Sequence, residues 1–530
     1  MHSSQTVQVG TLQIEYDLAD YIAPWRTDQL EAILIHHGYC HNIQREGCWV
    51  MRLLDLVELD AAHNFLRQRQ LRHQQIIIVF VPYTIRSISR RSETKRQELK
   101  LFVCNAQRSS AFFVTNRREK MAREGFMILD SDLHMMEPDD LWARYLDEPY
   151  RANPPRFYGG QQTPLTQTAE DKGNADRIRG MEVQGLAIPA FAKSQGATAS
   201  SRELRRKSRA RHPHFNVARA RGFDAATTLT AMDIEGIDVA VMYGTRGRQI
   251  LCHDDLSPDY AAALARAYNN WAYDYCQSDP QRLKFAAQIA MHDVGMAVEE
   301  ARRCVKELGA VAVIGTPNPV KGQHLHDEAC EPLWNELERL NVPIGFHPTG
   351  NSSLKDDAGA RYVGHANFHP IAHAIRNPVE LMGAMASMAT GGVLERHPKL
   401  RCAFLEGTAG WVYWWLWRLD DHWEKFGVGC EHQLTMPPSE YFKRQCYIAL
   451  DADEEPAVDV IKKMGAEYFV VSSDYPHGDG AFPEAIQQFL KLGLNDAQRR
   501  TILWDNCARL YGIAKPAAAL TRDQSVSTAA

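Results

Sequence analysis

The chain has 530 residues, 45% hydrophobic and 24% charged, an ordinary globular balance in a chain too long for one small domain. Its formal net charge of −5 argues against a global attraction to nucleic acid. The 11 cysteines include no C-x-x-C pair, which disfavours a disulfide scaffold or zinc ribbon and points to reduced thiols in a cytoplasmic protein. No basic segment leads into an apolar stretch at the start, and the longest early apolar run, Ile76 to Pro82, is far too short to span a bilayer. Neither secretion nor a membrane partner is expected.

Residues 1–124 differ from the rest. Val7 to Asp17 reads as a strand, and Ala32 to Cys40 as a second strand running into a His-Gly turn. This opening resembles the start of an α/β-hydrolase, in which a His-Gly loop supplies oxyanion-hole amides. That fold needs a G-x-S-x-G nucleophile elbow, and the sequence contains none. The resemblance stops near residue 45. From 46 to 124 there are basic, Gln-rich and apolar runs without sustained periodicity, such as Arg67 to Arg72 and Arg86 to Arg91. The expectation is a truncated hydrolase-like fragment, 1–45, joined to an irregular, non-native segment, 46–124. The alternative is a short basic interaction arm.

From Phe126 onward strand and helix patterns alternate. The strand candidates are Phe126–Asp130, Ile237–Tyr243, Leu283–Ile289, Ala310–Ile314, Val342–Phe346, Leu400–Leu405, Tyr447–Leu450 and Tyr468–Ser472. Helical stretches fall between most of them, at Pro258–Cys276, Gly295–Leu308, Glu328–Leu340, Val379–Ala389, Trp411–Phe426 and Pro456–Met464. Eight such units predict an α/β fold, a (β/α)₈ TIM barrel over 125–514, rather than an open doubly wound sheet. A large insertion, about 146–223, follows the first strand at the face where such barrels hold their chemistry. It carries a basic run, Arg202 to Arg221, readable as a cap over the site or as a solvated loop. The tail, 515–530, is expected to be disordered.

Polar residues gather where the strands end. The first strand leads into Asp130, Asp132, His134 and Glu137; others lead into His347, into Glu406, and into Asp474 and His477. In a barrel these ends converge on one mouth, so sequence distance is no obstacle. Asp132 and His134, two apart on a strand, share a face and offer a hard oxygen and an imidazole nitrogen to one atom, half of a divalent metal site.

The segments Asp130-Ser-Asp-Leu-His-Met-Met-Glu-Pro138, Gly345-Phe-His-Pro348, Ser472-Ser-Asp-Tyr-Pro-His477 and Asp505-Asn-Cys-Ala-Arg-Leu-Tyr511 occur in this order. They resemble the amidohydrolase-related family, in the branch of aminocarboxymuconate-semialdehyde decarboxylase and the resorcylate-type decarboxylases. The resemblance covers residues 126–512. It implies one divalent ion, zinc or manganese, held by Asp132, His134, His347 and Asp474, with Asp474 also transferring protons. Many relatives have a histidine at the end of strand six, where this chain has Glu406. That departure puts in doubt the usual substrate-polarising role and leaves Glu406 to act as a base, bind metal or hold a positive group. His365, His369 and His373 are candidates to contact substrate, and Glu137 and His477 to orient the ligands. A homodimer is implied by the same analogy.

Trp411, Trp414, Trp415 and Trp417, and Met382, Met385 and Met388, read as core or subunit interface at helical spacing. The expected function is hydrolysis of a small cyclic or aromatic carboxylate, amide, ester or lactone by metal-activated water. Non-oxidative decarboxylation of an aromatic or unsaturated acid is the alternative. A non-catalytic binding barrel is a further reading, and nucleic-acid binding through the basic run is disfavoured by the overall charge.

Overall fold

A computed structural model describes residues 123, 125–158, 180–188, 212–349, 357–362, 368–430, 433–477 and 480–514, with strands at 4–9, 12–17, 40–45, 48–53, 76–80 and 101–104. The chain divides into two units, Met1–Glu119 and Lys120–Ala530. In the first unit, the single strand expected over Val7–Asp17 is two, Ser4–Val9 and Leu12–Asp17, paired antiparallel. A separate four-stranded sheet contains Cys40–Arg45, Cys48–Leu53, Ile76–Phe80 and Leu101–Cys104. The strand expected over Ala32–Cys40 lies, apart from Cys40, outside the described residues, as does the tail 515–530.

The second unit is a (β/α)₈ barrel. Its strands are β1 (Leu129–Met135), β2 (Val239–Gly244), β3 (Leu283–Gln288), β4 (Ala312–Gly315), β5 (Ile344–Phe346), β6 (Cys402–Phe404), β7 (Cys446–Asp451) and β8 (Phe469–Ser472). Each pairs parallel with the next in chain order. The seam between β1 and β8 is bridged by Ser131 Oγ donating to the Val471 carbonyl at 2.7 Å and by the His134 amide donating to the Tyr475 carbonyl at 2.8 Å.

Small and branched residues fill the barrel interior, among them Leu129, Val239, Val241, Ala286, Ala403 and Val470. Burying each Val or Leu contributes roughly 1.5–3 kcal/mol. Trp504, Cys507, Leu510 and Tyr511 near the C-terminus join this interior cluster, and Tyr511 donates to the Ser131 carbonyl at 2.9 Å. These apolar residues fill the barrel beneath the strand ends, where the polar groups gather. A second, larger apolar layer lies between the strands and the outer helices.

The helix expected at Pro258–Cys276 forms with those limits, started by Pro258 at its first turn. The helix expected over Val379–Ala389 begins earlier, at Phe368, and continues through Pro378. The insertion forms a three-stranded antiparallel sheet from Arg156–Tyr158, Gly180–Val183 and Leu186–Ile188. The first part of its basic run, 202–211, lies outside the described residues. The remainder forms the helix Pro213–Ala220, which buries His214 and Phe215 and so is no solvated loop. Phe215 packs edge-on against Tyr475, the residue after Asp474. Trp411 and Trp415 bond backbone carbonyls through their indole nitrogens, whereas Trp414 and Trp417 are about half exposed. Met385 and Met388 are core residues, as expected. Among the described residues every cysteine is a free thiol, and no helix is long and apolar enough to cross a membrane.

Candidate metal centre

The site is built on an irregularity in β1. Ala240 pairs with Asp130 but Met242 with Leu133, so β1 carries one residue more than β2 between these pairs. Such a bulge reverses which residues face inward and re-aims side chains. Leu129 belongs to the barrel interior before it, and Leu133 and Met135 to the outer layer after it. Asp132 and His134 are thereby turned inward. The sequence placed the strand at Phe126–Asp130 with these two residues beyond its end; they lie within it, fully buried. Asp130 holds the bulge by accepting from the Asp132 amide at 3.0 Å, and burial raises its carboxyl to about 6.

Five side chains converge. His134 Nε2 lies 3.2 Å from His347 Nε2, 3.4 Å from Asp474 Oδ1, 3.6 Å from Asp132 Oδ1 and 3.7 Å from Glu406 Oε2. His347 Nε2 lies 3.5 Å from Asp132 Oδ1 and 2.8 Å from Glu406 Oε2. Ligands held about 2.1 Å from one ion stand roughly 3–3.5 Å apart, close to the 2.8–3.7 Å seen here. Asp132 supplies an independent test of fit, since both its oxygens are buried and neither accepts a hydrogen bond. A buried carboxylate without donors is costly unless a cation sits against it. The donor set of imidazole and carboxylate suits zinc or manganese.

Electrostatics follow from this crowding. Burial, with His477 and His347 nearby, pushes the His134 imidazole well below its usual range, so it stays neutral and keeps a lone pair free. Burial and Arg248 press His347 the same way, but Glu406 and Asp132 outweigh them and the net shift is upward. Burial alone would raise Glu406; His347, His477 and Arg248 overcome it and hold the carboxyl far below the usual carboxylate range. Glu406 and Asp474 both have left-handed backbones, φ 52° and 53°, a strained conformation for residues with side chains and one that clusters at functional sites.

Around these five, His477 Nδ1 lies 2.7 Å from Asp474 Oδ1, and its ring stacks on His134 at 3.9 Å between centroids. The Thr245 hydroxyl joins His134 Nδ1 at 3.1 Å to His477 Nε2 at 3.2 Å. The Arg248 guanidinium lies against His347 Nδ1, donates to the Pro348 carbonyl at 2.6 Å, and places Nη2 4.0 Å from Glu406. Asn377 donates to Glu406 Oε1 at 3.3 Å.

The structure thus brings Asp132, His134, His347, Glu406, Asp474 and His477 together. Glu137 is placed differently from a residue that orients metal ligands directly. Its carboxylate accepts from the backbone amides of Thr245, Arg246 and Gly247 at 3.3, 2.8 and 2.9 Å, capping the helix Arg246–Leu251. It reaches the centre only by fixing Thr245. His365 and the side chain of His369 lie outside the described residues; His373 is half-buried on the helix Phe368–Ala389. Thr245, Arg248 and Asn377 were not anticipated. Thr245 and Arg248 follow β2, a strand end whose residues the mouth rule covers. Asn377 sits in mid-helix and carries no sequence signal.

Residues 212–513, more than half of the sequence, match the amidohydrolase family. The chain belongs to the amidohydrolase family. It is an enzyme, a metal-dependent hydrolase or carboxy-lyase. The match begins within the last part of the insertion, so β1, with Asp132 and His134, precedes it. The amidohydrolase is 27% identical over 266 residues to a gamma-resorcylate decarboxylase of Rhodococcus jostii, covering 47% of this chain and 77% of the relative. It is 24% identical over 261 residues to a 2-amino-3-carboxymuconate-6-semialdehyde decarboxylase of Dictyostelium discoideum, covering 48% of this chain and 68% of the relative. Its fold is shared by an amidohydrolase of Mycobacterium avium subsp. paratuberculosis, with a TM-score of 0.57 and 22% identity over 73% of this chain and 99% of the other.

Proposed function

We propose that this amidohydrolase is a carboxy-lyase that removes carbon dioxide, without oxidation, from an aromatic or unsaturated carboxylic acid. The observation that carries the reading is a pair of donor groups that share His134, one with Asp132 and His347 and one with Glu406, Asp474 and His477, each with its ligand atoms within 4.8 Å of one another. Hydrolysis, the first expectation, uses the same donor set; both named relatives are decarboxylases, which weighs toward the alternative.

In this proposal Asp132, His134, His347 and Asp474 hold the ion, with Glu406 facing it. A divalent ion bound there would act as a Lewis acid toward the substrate's oxygen atoms. The remaining work falls to the chain. Asp474, 2.7 Å from His477, is the proton carrier. Decarboxylation breaks the bond between the substrate carbon and its carboxylate. The bonding pair stays on that carbon, which takes the proton from Asp474, and carbon dioxide leaves. His477 restores the proton to Asp474 from solvent. Arg248 and Asn377 fix Glu406, whose negative charge favours a cation over a proton at the centre.

Elemental analysis of chelator-washed protein, comparing wild type with His134→Ala and His347→Ala, tests the centre. Near one equivalent of zinc or manganese in wild type, lost in both variants, is expected. Release of carbon dioxide from hydroxybenzoates by the metal-loaded enzyme then tests the reaction. A well-folded wild type that takes up no metal would sink the proposal.

A further inference from the structure

A recess with a cavity volume of about 20 Å³ opens beside His347, between the ends of β3 and β4 and the helix Arg246–Leu251. That volume accepts a group about the size of a water molecule, the polar tip of a substituent rather than a whole ring. Leu251, Ile289 and Met291 give it apolar walls. Its polar lining includes Arg248, Thr316 and Gln288, the last residue of β3.

Gln288 is only 2% exposed, yet neither Oε1 nor Nε2 has a hydrogen-bond partner among the described residues, and Thr316 Oγ1 is likewise unpartnered. A buried amide left unmade in this way is costly. The backbone is nonetheless shaped to hold it. A Cβ on Gly244 would collide with Nε2, and one on Gly247 with Oε1. Glycine at both positions therefore makes room for this amide, which lines a cavity that adjoins the metal centre.

We propose that Gln288, with Thr316, is the specificity determinant of this amidohydrolase. It binds a neutral group on the substrate, remote from the reacting carboxylate, that both donates and accepts a hydrogen bond: a hydroxyl or a primary carboxamide. The inference rests on the aromatic-acid reading above. An amide offers one donor face and one acceptor face, so a group with both functions satisfies it. A second anionic group is disfavoured by charge. Asp132, Glu406 and Asp474 carry three negative charges that Arg248 and a divalent ion only balance, so an anion beyond the reacting carboxylate meets no surplus positive charge. Arg248 is itself engaged by the carbonyls of Gly244 and Pro348.

The test is calorimetric binding of benzoate, 3- and 4-hydroxybenzoate, 3- and 4-carbamoylbenzoate, isophthalate and terephthalate to manganese-loaded protein. At least one hydroxy or carbamoyl compound is expected to bind about tenfold or more tightly than benzoate, and neither dicarboxylate to do so. Gln288→Leu should erase that preference, so that no hydroxy or carbamoyl compound binds the variant more tightly than benzoate does; Thr316→Val should reduce it, which keeps the test open if Gln288→Leu fails to fold. Equal binding of all the benzoates, tighter binding of a dicarboxylate, or a preference that survives Gln288→Leu would overturn the assignment while leaving the aromatic-acid reading intact. Failure of every compound, benzoate included, to bind the metal-loaded protein would instead overturn that reading and this inference with it.

Discussion

His134 and His347 point Nε2 at Nε2 across 3.2 Å, from strands on different sides of the barrel interior. His134, held neutral, turns a lone pair into this gap, and the pair is satisfied either by a proton on His347 Nε2 or by a cation that both nitrogens face. Asp132 adds a buried carboxylate with no donor. Removing metal with a chelator should therefore lower the melting temperature, and manganese or zinc should restore it. The rise should follow the linkage of a ligand that binds only the folded state, about 2.7 kcal/mol at a hundredfold excess over Kd. In His134→Ala the melting temperature should not respond to metal. A metal response in that variant equal to wild type would place the ion elsewhere.

Glu406 stands close enough to His347, at 2.8 Å, to share its ion. Glu406→Gln conserves shape and an acceptor for Asn377 but removes the negative charge. Metal affinity, measured by competition with a chelator, should fall about 10- to 100-fold, the range seen when groups supporting a metal site are altered. Unchanged affinity would separate Glu406 from the centre and return it to a role in handling substrate alone.

The Thr245 hydroxyl lies between His134 Nδ1 and His477 Nε2. Thr245→Val keeps the volume and removes both hydrogen bonds, so the two rings lose their fixed orientation. Activity should drop by about 10- to 100-fold with the melting temperature little changed, and Thr245→Ser should recover most of it. A Val variant with wild-type kcat would show that stacking alone orients the rings.

The barrel and most of its mouth were legible because each strand is a short apolar run ending in a polar residue, and that pattern survives without any tertiary information. β1 was misplaced by its bulge. Asp132 and His134 are polar, so they read as lying beyond the end of the strand, although the pairing with β2 buries them. Glu137 was grouped with the centre because it is near in sequence, but three backbone amides of the following helix claim its carboxylate. Thr245 and Asn377 act through distances that only the folded chain sets. The left-handed backbones of Glu406 and Asp474 had no glycine or asparagine to announce them.

The division between Met1–Glu119 and Lys120–Ala530 bears on the proposed origin of the N-terminal segment. A chain beginning at Lys120 retains Arg123, which pairs with Glu235 at 3.5 Å, and every residue of the centre. It should fold, bind metal and keep its activity within about twofold of the full chain, since none of the residues assigned to the chemistry is lost. A soluble, folded truncation without activity would show that residues 1–119 take part in function.

Glu235 sets a pH dependence away from the metal. Burial is the main cause that lifts its carboxyl from 4.5 to about 7, against the lowering effect of hydrogen bonds from the Ala485 and Ile486 amides and of Arg123. A raised carboxyl binds its proton more tightly in the folded than in the unfolded chain. Its contribution to stability is therefore complete below about 4.5 and is lost as pH rises through about 7. The shift corresponds to a loss on the order of 3 kcal/mol across that window. Glu235→Gln does not titrate, so the fall in melting temperature between pH 5 and pH 8 should be smaller in the variant than in wild type. Equal falls in the two proteins would mean that Glu235 ionises at its ordinary pH and that Arg123 and the two amides compensate fully for its burial.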